Sequence, residues 1–236
     1  MLFRDLTLVI PAKDESFCLP KVLKELKNFN LKKIVVLPHG DFKTLSTTKN
    51  FDCKVVAQNR SGYGAAIIHG INLVKTKYVC IYYADGSTDP KYLKSLYQKI
   101  KANNLSIVFC SRYFNNGGKS SGSKDDNFLT LIGNYFFTIL GNLLFKLKMR
   151  DLLFTFFIAE VRAIKKMNLK SNNVSLCVEI PLKAKNLGLR YTSIPAFERK
   201  RFGGKKKMNE FRDGLIIFFY FIKVLLIKYY QYLKNI

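Results

Sequence analysis

Acidic residues are the scarce class in this chain: 16 Asp and Glu stand against 40 Lys and Arg in 236 residues, a formal net charge of +24. Such an excess favours a polyanionic partner, whether nucleic acid, anionic lipid or a phosphorylated substrate. Histidine is rarer still, and His39 and His69 stand alone with no partner in view, so both read as structural. The five cysteines (Cys18, Cys53, Cys80, Cys110, Cys177) are odd in number and scattered, without metal-ligand spacing. They read as reduced, mostly buried thiols of a cytosolic compartment. A secretory leader is not expected, because the N-terminus enters the strand-like run Leu6–Ile10 with no charged and apolar regions before it. Internal repeats, separable linkers and recognisable nucleic-acid motifs are all missing, and the basic residues lie beside apolar helices, which favours lipid over nucleic acid. Apolar residues are not lacking. A hydrophobic fraction of 48% with 14% aromatics excludes a disordered chain. The length suits one large α/β domain or two small ones.

The first half alternates short apolar or β-branched runs with helical spacing. Leu6–Ile10, Lys33–Leu37, Cys53–Ala57, Tyr78–Tyr83 and Ser106–Cys110 are expected strands; Leu19–Phe29, Gly64–Val74 and Pro90–Ala102 are expected helices, with a weaker one at Asp41–Lys49. Leu189–Ile194 is a further strand. This alternation predicts a mostly parallel, doubly wound sheet. Residues 115–126 form a polar, glycine-containing loop, expected to be mobile over a site.

The most informative segment is Tyr78 to Pro90. An apolar strand ends in Ala84-Asp85-Gly86-Ser87-Thr88-Asp89-Pro90. It would deliver Asp85 to the carboxyl edge of the sheet, where ligands of open α/β sheets bind. A carboxylate there can hold a hard divalent cation, and the cation a diphosphate. The alternative is a turn and helix cap, with Thr88 or Asp89 as N-cap and Pro90 at the first helical position. Arg60-Ser61-Gly62-Tyr63-Gly64-Ala65-Ala66 follows a strand and opens a helix, so its small residues would let backbone N–H groups approach an anion. Arg112 ends the fifth strand on the same edge as Asp85 and could fork onto a phosphate. The run Arg199 to Lys207, with Gly203-Gly204 inside it, reads as a shaped basic loop: a phosphate clamp, a lipid-binding patch or a solvated charge run.

Phe128–Leu147 and Gly214–Leu233 approach the length that spans a bilayer. Asn134, Asn142 and Lys146 interrupt the first, and Lys223 sits near the middle of the second. Lys and aromatics mixed with Leu and Ile fit a helix lying in the headgroup region better than one crossing it. The alternative places both helices in the core or in a dimer interface, so a homo-oligomer stays open.

In order, these segments resemble family 2 glycosyltransferases, of the branch similar to dolichyl-phosphate mannosyltransferases and bacterial polyprenyl-phosphate glycosyltransferases. Val9-Ile10-Pro11-Ala12-Lys13-Asp14-Glu15 is similar to the family's strand-Pro-x-x-Asn-Glu start. Arg60 to Ala66 is similar to Arg-x-Gly-x-Gly-x-Ala. Ala84-Asp85-Gly86 and Asp89-Pro90 resemble the aspartate motif, and Ser111-Arg112-Tyr113 with Gly117-Gly118 the element after the fifth strand. Asp151 opens the segment usually read Asp-x-x-Ser-Gly-Phe. Glu179 with Lys183-Ala184, the Arg199–Lys206 stretch and Asp213-Gly214 resemble the closing elements.

The resemblance implies a GT-A, Rossmann-like fold over residues 1–207, including the apolar helix near 128–147, followed by a C-terminal amphipathic membrane-surface helix over 208–236. It implies an inverting enzyme with a GDP- or UDP-sugar donor, Mg²⁺ or Mn²⁺, and a polyprenyl-phosphate acceptor, working at the cytoplasmic face of an anionic membrane. Carried over by position, Asp85, Arg112 and Glu179 are the candidate catalytic residues. Pro11, Ala12, Asp14, Glu15, Asp41, Arg60, Gly64, Ala84 and Asp85 are candidates for the donor. Arg112, Thr130, Arg199, Arg201 and Lys205 are candidates for the acceptor phosphate, and Asp85 and Asp89 for the metal. The chain also departs from the pattern. Tyr83 stands at the first acid of the metal motif. Leu37-Pro38-His39-Gly40-Asp41 replaces the usual Asp-Asp-Gly-Ser. Phe154-Thr155 replaces Ser-Gly, Asp126 and Thr130 fall at the acceptor-side Arg and Ser, and Lys205 takes a Ser position. These changes make a catalytically silent, membrane-associated scaffold or regulator the alternative reading.

Overall fold

The computed structural model describes residues 3–113 and 122–234. The loop glycines Gly117 and Gly118 lie outside them. A seven-stranded sheet runs in the order β3-β2-β1-β4-β7-β5-β8: β3 (Lys54–Ala57), β2 (Lys32–Leu37), β1 (Leu6–Pro11), β4 (Tyr78–Ile81), β7 (Phe157–Glu160), β5 (Ile107–Ser111) and β8 (Tyr191–Pro195). Neighbours pair in parallel except β7, which runs antiparallel to both β4 and β5. The sheet is therefore mixed, an α/β fold of the Rossmann-like GT-A kind. A separate parallel pair joins β6 (Gly122–Ser123) to β9 (Phe197–Glu198).

The buried strands carry apolar residues on both faces, as a sheet covered on two sides requires. Along β1, Leu6, Leu8 and Ile10 enter one core with α1 (Leu19–Glu25) and α4 (Tyr92–Ala102), while Val9 enters the other. The second core holds α3 (Tyr63–Leu73), α6 (Val161–Lys166), α7 (Leu176–Asn186) and parts of α5 (Phe128–Phe145) and α8 (Glu210–Lys234). The expected helix Leu19–Phe29 is split into α1 and a 3₁₀ turn, Leu26–Asn28, and the weak helix at 41–49 contracts to α2 (Phe42–Ser46).

The path of the chain fixes the site. From β1 it goes to β2 on one side and returns to β4 on the other, so the direction of winding reverses between β1 and β4. A crevice opens at the carboxyl ends of strands flanking such a reversal. Here it lies beyond Pro11 and Ile81.

α5 and α8 pack against each other through Phe221. Its side chain is 1% exposed, and its ring centroid lies 5.5 Å from that of Phe145 and 6.2 Å from that of Phe137. Gly141 lets α5 seat against Leu152, because a Cβ there would lie 2.8 Å from that side chain, while the Phe221 ring at 3.5 Å would be in ordinary contact. The opposite faces of both helices are left uncovered.

Candidate active site

The loops after β1 and β2 are tied together by Asp41. Its Oδ1 caps α2 by accepting from the Thr44 N–H at 3.0 Å, and its Oδ2 accepts from the Asp14 N–H at 2.9 Å. Burial opposes its charge, but these backbone donors and the nearby Lys207 hold its carboxyl below the usual range. Glu15 donates its N–H to Thr44 Oγ1 at 3.0 Å and forms a very short ion pair with Lys207. Pro11, Ala12, Asp14, Glu15 and Asp41 are thus gathered at the carboxyl end of β1. Ala12 and Ala84 are buried beneath the crevice, while Arg60 is exposed at the turn before α3.

Across the crevice, Asp85 leaves β4 with both carboxylate oxygens engaged. Oδ1 accepts from the Ser87 N–H at 2.9 Å, and Oδ2 meets Arg201 Nη2 at 2.7 Å. The Arg201 Nε lies 3.3 Å from Asp125 Oδ1. Arg201 belongs to the basic run, which crosses the crevice as a strap. Phe202 donates its N–H to the Asp85 carbonyl at 2.8 Å and Arg199 its own to the Ser87 carbonyl at 2.7 Å. Arg199 forks onto Glu25 at 3.1 and 2.9 Å. The glycines explain the close fit: a Cβ on Gly86 would lie 2.4 Å from the Phe202 ring, and one on Gly203 2.7 Å from Phe17. Between Arg199 and Arg201, then, it is Arg201 that reaches the motif aspartate. Lys205 is exposed at the outer end of the strap.

The sequence missed Phe17 and Cys18. Cys18 donates from Sγ to the Gly203 carbonyl at 3.4 Å. Burial, then the Glu15 and Asp85 carboxylates, push its thiol up to about 11. The Gly203-Gly204 pair was the available signal, since two glycines in a basic run imply a close approach by something bulky.

Several expectations need correction. Asp89 does not join Asp85 as a second metal ligand: Oδ1 accepts from the Lys91 N–H at 3.0 Å and Oδ2 pairs with Lys91 Nζ at 3.2 Å, so the local turn holds it. Tyr83, at the first acid position, points its hydroxyl at Thr155, 2.9 Å from both Oγ1 and the N–H, and packs edge-on against Phe154. Arg112 is not open to a phosphate. It is 6% exposed, forks onto Asp151 through Nε (2.8 Å) and Nη2 (3.1 Å), and reaches Glu198 at 3.1 Å and Asp126 at 3.3 Å through Nη1. Burial and the excess of carboxylate raise the Glu198 pKa against the pull of Arg112. Thr130 lies in the first turn of α5, hydrogen-bonded to Glu210 at 3.0 Å and to Lys206 at 3.1 Å. Arg112, Arg199 and Arg201 therefore sit in separate ion-pair groups, with Thr130 hydrogen-bonded between Glu210 and Lys206 and Lys205 exposed.

Gly64 and Glu179 likewise do other work. The start of α3 is covered by the chain itself: a Cβ on Gly62 would lie 2.1 Å from the Asn172 carbonyl oxygen, one on Gly64 2.3 Å from that of Ser171, and Ala65 donates its N–H to Asn172 at 3.1 Å. No room remains there for an anion. Glu179, on α7, is 2% exposed and accepts from the N–H groups of Lys170 and Ser171 at 2.9 and 2.7 Å. It shapes the loop that covers α3.

A divalent cation finds no matching donor set in this arrangement. Asp85 is paired, Asp89 is held in its turn, and among the described residues no group of three His, Cys, Asp or Glu could hold a metal.

The chain matches the family model described as glycosyl transferase family 2 over residues 7–167. Its fold is similar to that of mannosyl-3-phosphoglycerate synthase from Rubrobacter xylanophilus (TM-score 0.72, 12% identity, covering 99% of this chain and 76% of that one). It is also similar to glucosyl-3-phosphoglycerate synthase from Mycobacterium tuberculosis in complex with Mn²⁺, UDP and glucosyl-3-phosphoglycerate (TM-score 0.67, 15% identity, covering 91% and 77%). The same enzyme with Mn²⁺, UDP-glucose and phosphoglyceric acid matches equally well (TM-score 0.67, 15% identity, covering 91% and 77%).

Proposed function

Because the chain belongs to glycosyl transferase family 2, we propose that it moves one sugar from a UDP- or GDP-sugar to a polyprenyl phosphate at the cytoplasmic face of a membrane. The lipid phosphate oxygen bonds to the anomeric carbon while the bond from that carbon to the donor's β-phosphate oxygen breaks. The nucleoside diphosphate leaves with the electron pair, and the anomeric centre inverts. A lipid phosphate is ionised near neutral pH, so no strong general base is needed. Catalysis then rests on holding two anionic reactants in line and stabilising charge on the leaving diphosphate, which suits a crevice crossed by a cationic strap.

The observation that carries the lipid reading is the uncovered face of α5 and α8. Phe128 is 78% exposed, Leu143 73%, Phe219 62% and Leu226 62%, with other aromatics and aliphatics between them. A contiguous apolar face of this kind marks an interaction surface. α5 has a mean hydropathy of 1.6 over 18 residues, of which only 33% are buried. Where α5 ends, lysines crowd together: burial and then the charges of Lys228, Lys146 and Lys148 push the Lys185 pKa down. Apolar faces flanked by such a cluster suit helices lying in an anionic headgroup layer.

The similar solved structures favour a second reading within the same chemistry, since one holds UDP-glucose together with the small phosphorylated molecule phosphoglyceric acid. Purified protein incubated with labelled UDP- and GDP-sugars, and either polyprenyl phosphate in anionic vesicles or 3-phosphoglycerate, separates the two. Label is expected in the lipid phase, and removing residues 214–236 is expected to reduce it at least about tenfold by detaching the enzyme from vesicles. Transfer to 3-phosphoglycerate alone overturns the lipid acceptor. No transfer to either leaves the silent scaffold.

A further inference from the structure

Asp85 sits beside a cation that is built into the fold. The Arg201–Asp85 pair is buried to 16% and 14% side-chain exposure. Arg201 cannot swing away freely, because its neighbour Phe202 is hydrogen-bonded to the Asp85 backbone carbonyl and wedged over Gly86. On the other side, Arg199 is fixed by its fork onto Glu25 and a 2.7 Å bond to the Thr88 carbonyl. A divalent ion on Asp85 would meet the guanidinium charge within the same ion pair, at a distance where like charges repel strongly. The other candidate ligand, Asp89, is turned into its own helix start. The position of the family's first acid holds Tyr83, hydrogen-bonded to Thr155. Arg201 Nη2 neutralises Asp85 as a metal would, and its Nε pairs with Asp125 at 3.3 Å, so among the described residues Nη1 is the guanidinium nitrogen left for a ligand. Across the crevice, Lys207 on the same strap reaches the β1 loop through Glu15.

Resting on the donor reading above, we propose that Arg201 replaces the divalent cation. It neutralises Asp85 and, with Lys207, binds the diphosphate of the nucleotide-sugar, so that donor binding and transfer proceed without metal. A guanidinium suits this role because it stays charged and, with Nη2 on Asp85 and Nε on Asp125, still has Nη1 to give a phosphate oxygen.

Calorimetric titration of UDP and GDP into the full chain, in excess EDTA and then in saturating Mn²⁺, tests the idea. Dissociation constants for the preferred nucleotide are expected to agree within about threefold in the two conditions, a difference well below one charge-assisted contact. R201A should weaken binding in EDTA by about tenfold or more, and R201K should recover part of it by restoring the charge without the fork. K200A, at an exposed strap position, should bind like the parent. Binding by the unaltered chain in Mn²⁺ but not in EDTA overturns the inference and leaves the proposed function intact, and that arm does not depend on the folding of any variant. R201A binding as tightly as the parent in EDTA also overturns it. No nucleotide binding in either condition overturns the donor reading itself.

Discussion

Glu179 acts at the scale of a single residue. Its buried carboxylate accepts from Lys170, Ser171 and Lys183, fixing the loop whose Asn172 carbonyl presses on Gly62. Burial alone would raise its pKa, but the hydrogen bonds from Lys183, Ser171 and Lys170 win and lower it. The folded pKa then lies below the unfolded value of about 4.3, so the stabilisation is fully present above that value and is lost as pH falls through the folded pKa. Glu179→Gln should cost about 1–3 kcal/mol at neutral pH, since it removes a charged acceptor from buried donors. Urea midpoints of parent and variant should converge as pH falls through the lowered folded pKa of Glu179. A gap that persists unchanged in acid would assign the loss to packing. The importance of Glu179 was legible from its resemblance, but its role was not, because its backbone donors lie in an irregular loop without periodicity. Arg112 was hidden similarly. Its carboxylate partners are 14, 39 and 86 residues away, and no local pattern encodes such pairings.

At the scale of elements, apolar runs located β1, β2, β4 and β5 because strands buried on both faces must be continuously apolar. β7 escaped, since Phe154-Thr155-Phe156-Phe157-Ile158-Ala159 has no flanking turn signal and its antiparallel insertion between β4 and β5 is a tertiary choice. α7 escaped because Pro181 stands inside it, and proline ordinarily argues against a helix interior. α5 and α8 were legible as apolar helices, and the structure adds which face is covered. Phe221→Ala empties the contact between them and should cost about 3–5 kcal/mol, the usual range for a buried Phe. Hydrogen exchange across 210–234 should rise with it. Phe219→Ser, on the uncovered face, should change stability by no more than about 0.5 kcal/mol while weakening vesicle binding. Equal destabilisation by the two substitutions would show that the outer face is buried against something in solution.

At the scale of the whole molecule, the scarcity of acids becomes a statement about the surface. Glu15, Glu25, Asp85, Asp125, Asp126, Asp151, Glu179 and Glu198 are all committed to internal ion pairs. The chain's excess of +24 is carried by Lys and Arg without carboxylate partners, and an anionic surface would meet the part of it on the face that docks. Two forces then add at a membrane: long-range attraction worth roughly 1 kcal/mol per nearby Lys or Arg, and burial of the α5–α8 face. They separate experimentally because only the first is screened, the Debye length falling from about 10 Å at 0.1 M salt to about 3 Å at 1 M. Co-sedimentation with anionic vesicles should weaken steeply as salt rises and then level off at an apolar remainder, which neutral phosphatidylcholine vesicles should show at every salt concentration. The Phe219→Ser variant should lower that remainder without changing the initial slope. Binding that salt abolishes entirely would mean the aromatic face never enters the lipid, leaving charge as the only attraction and removing the structural basis for a lipid-borne acceptor.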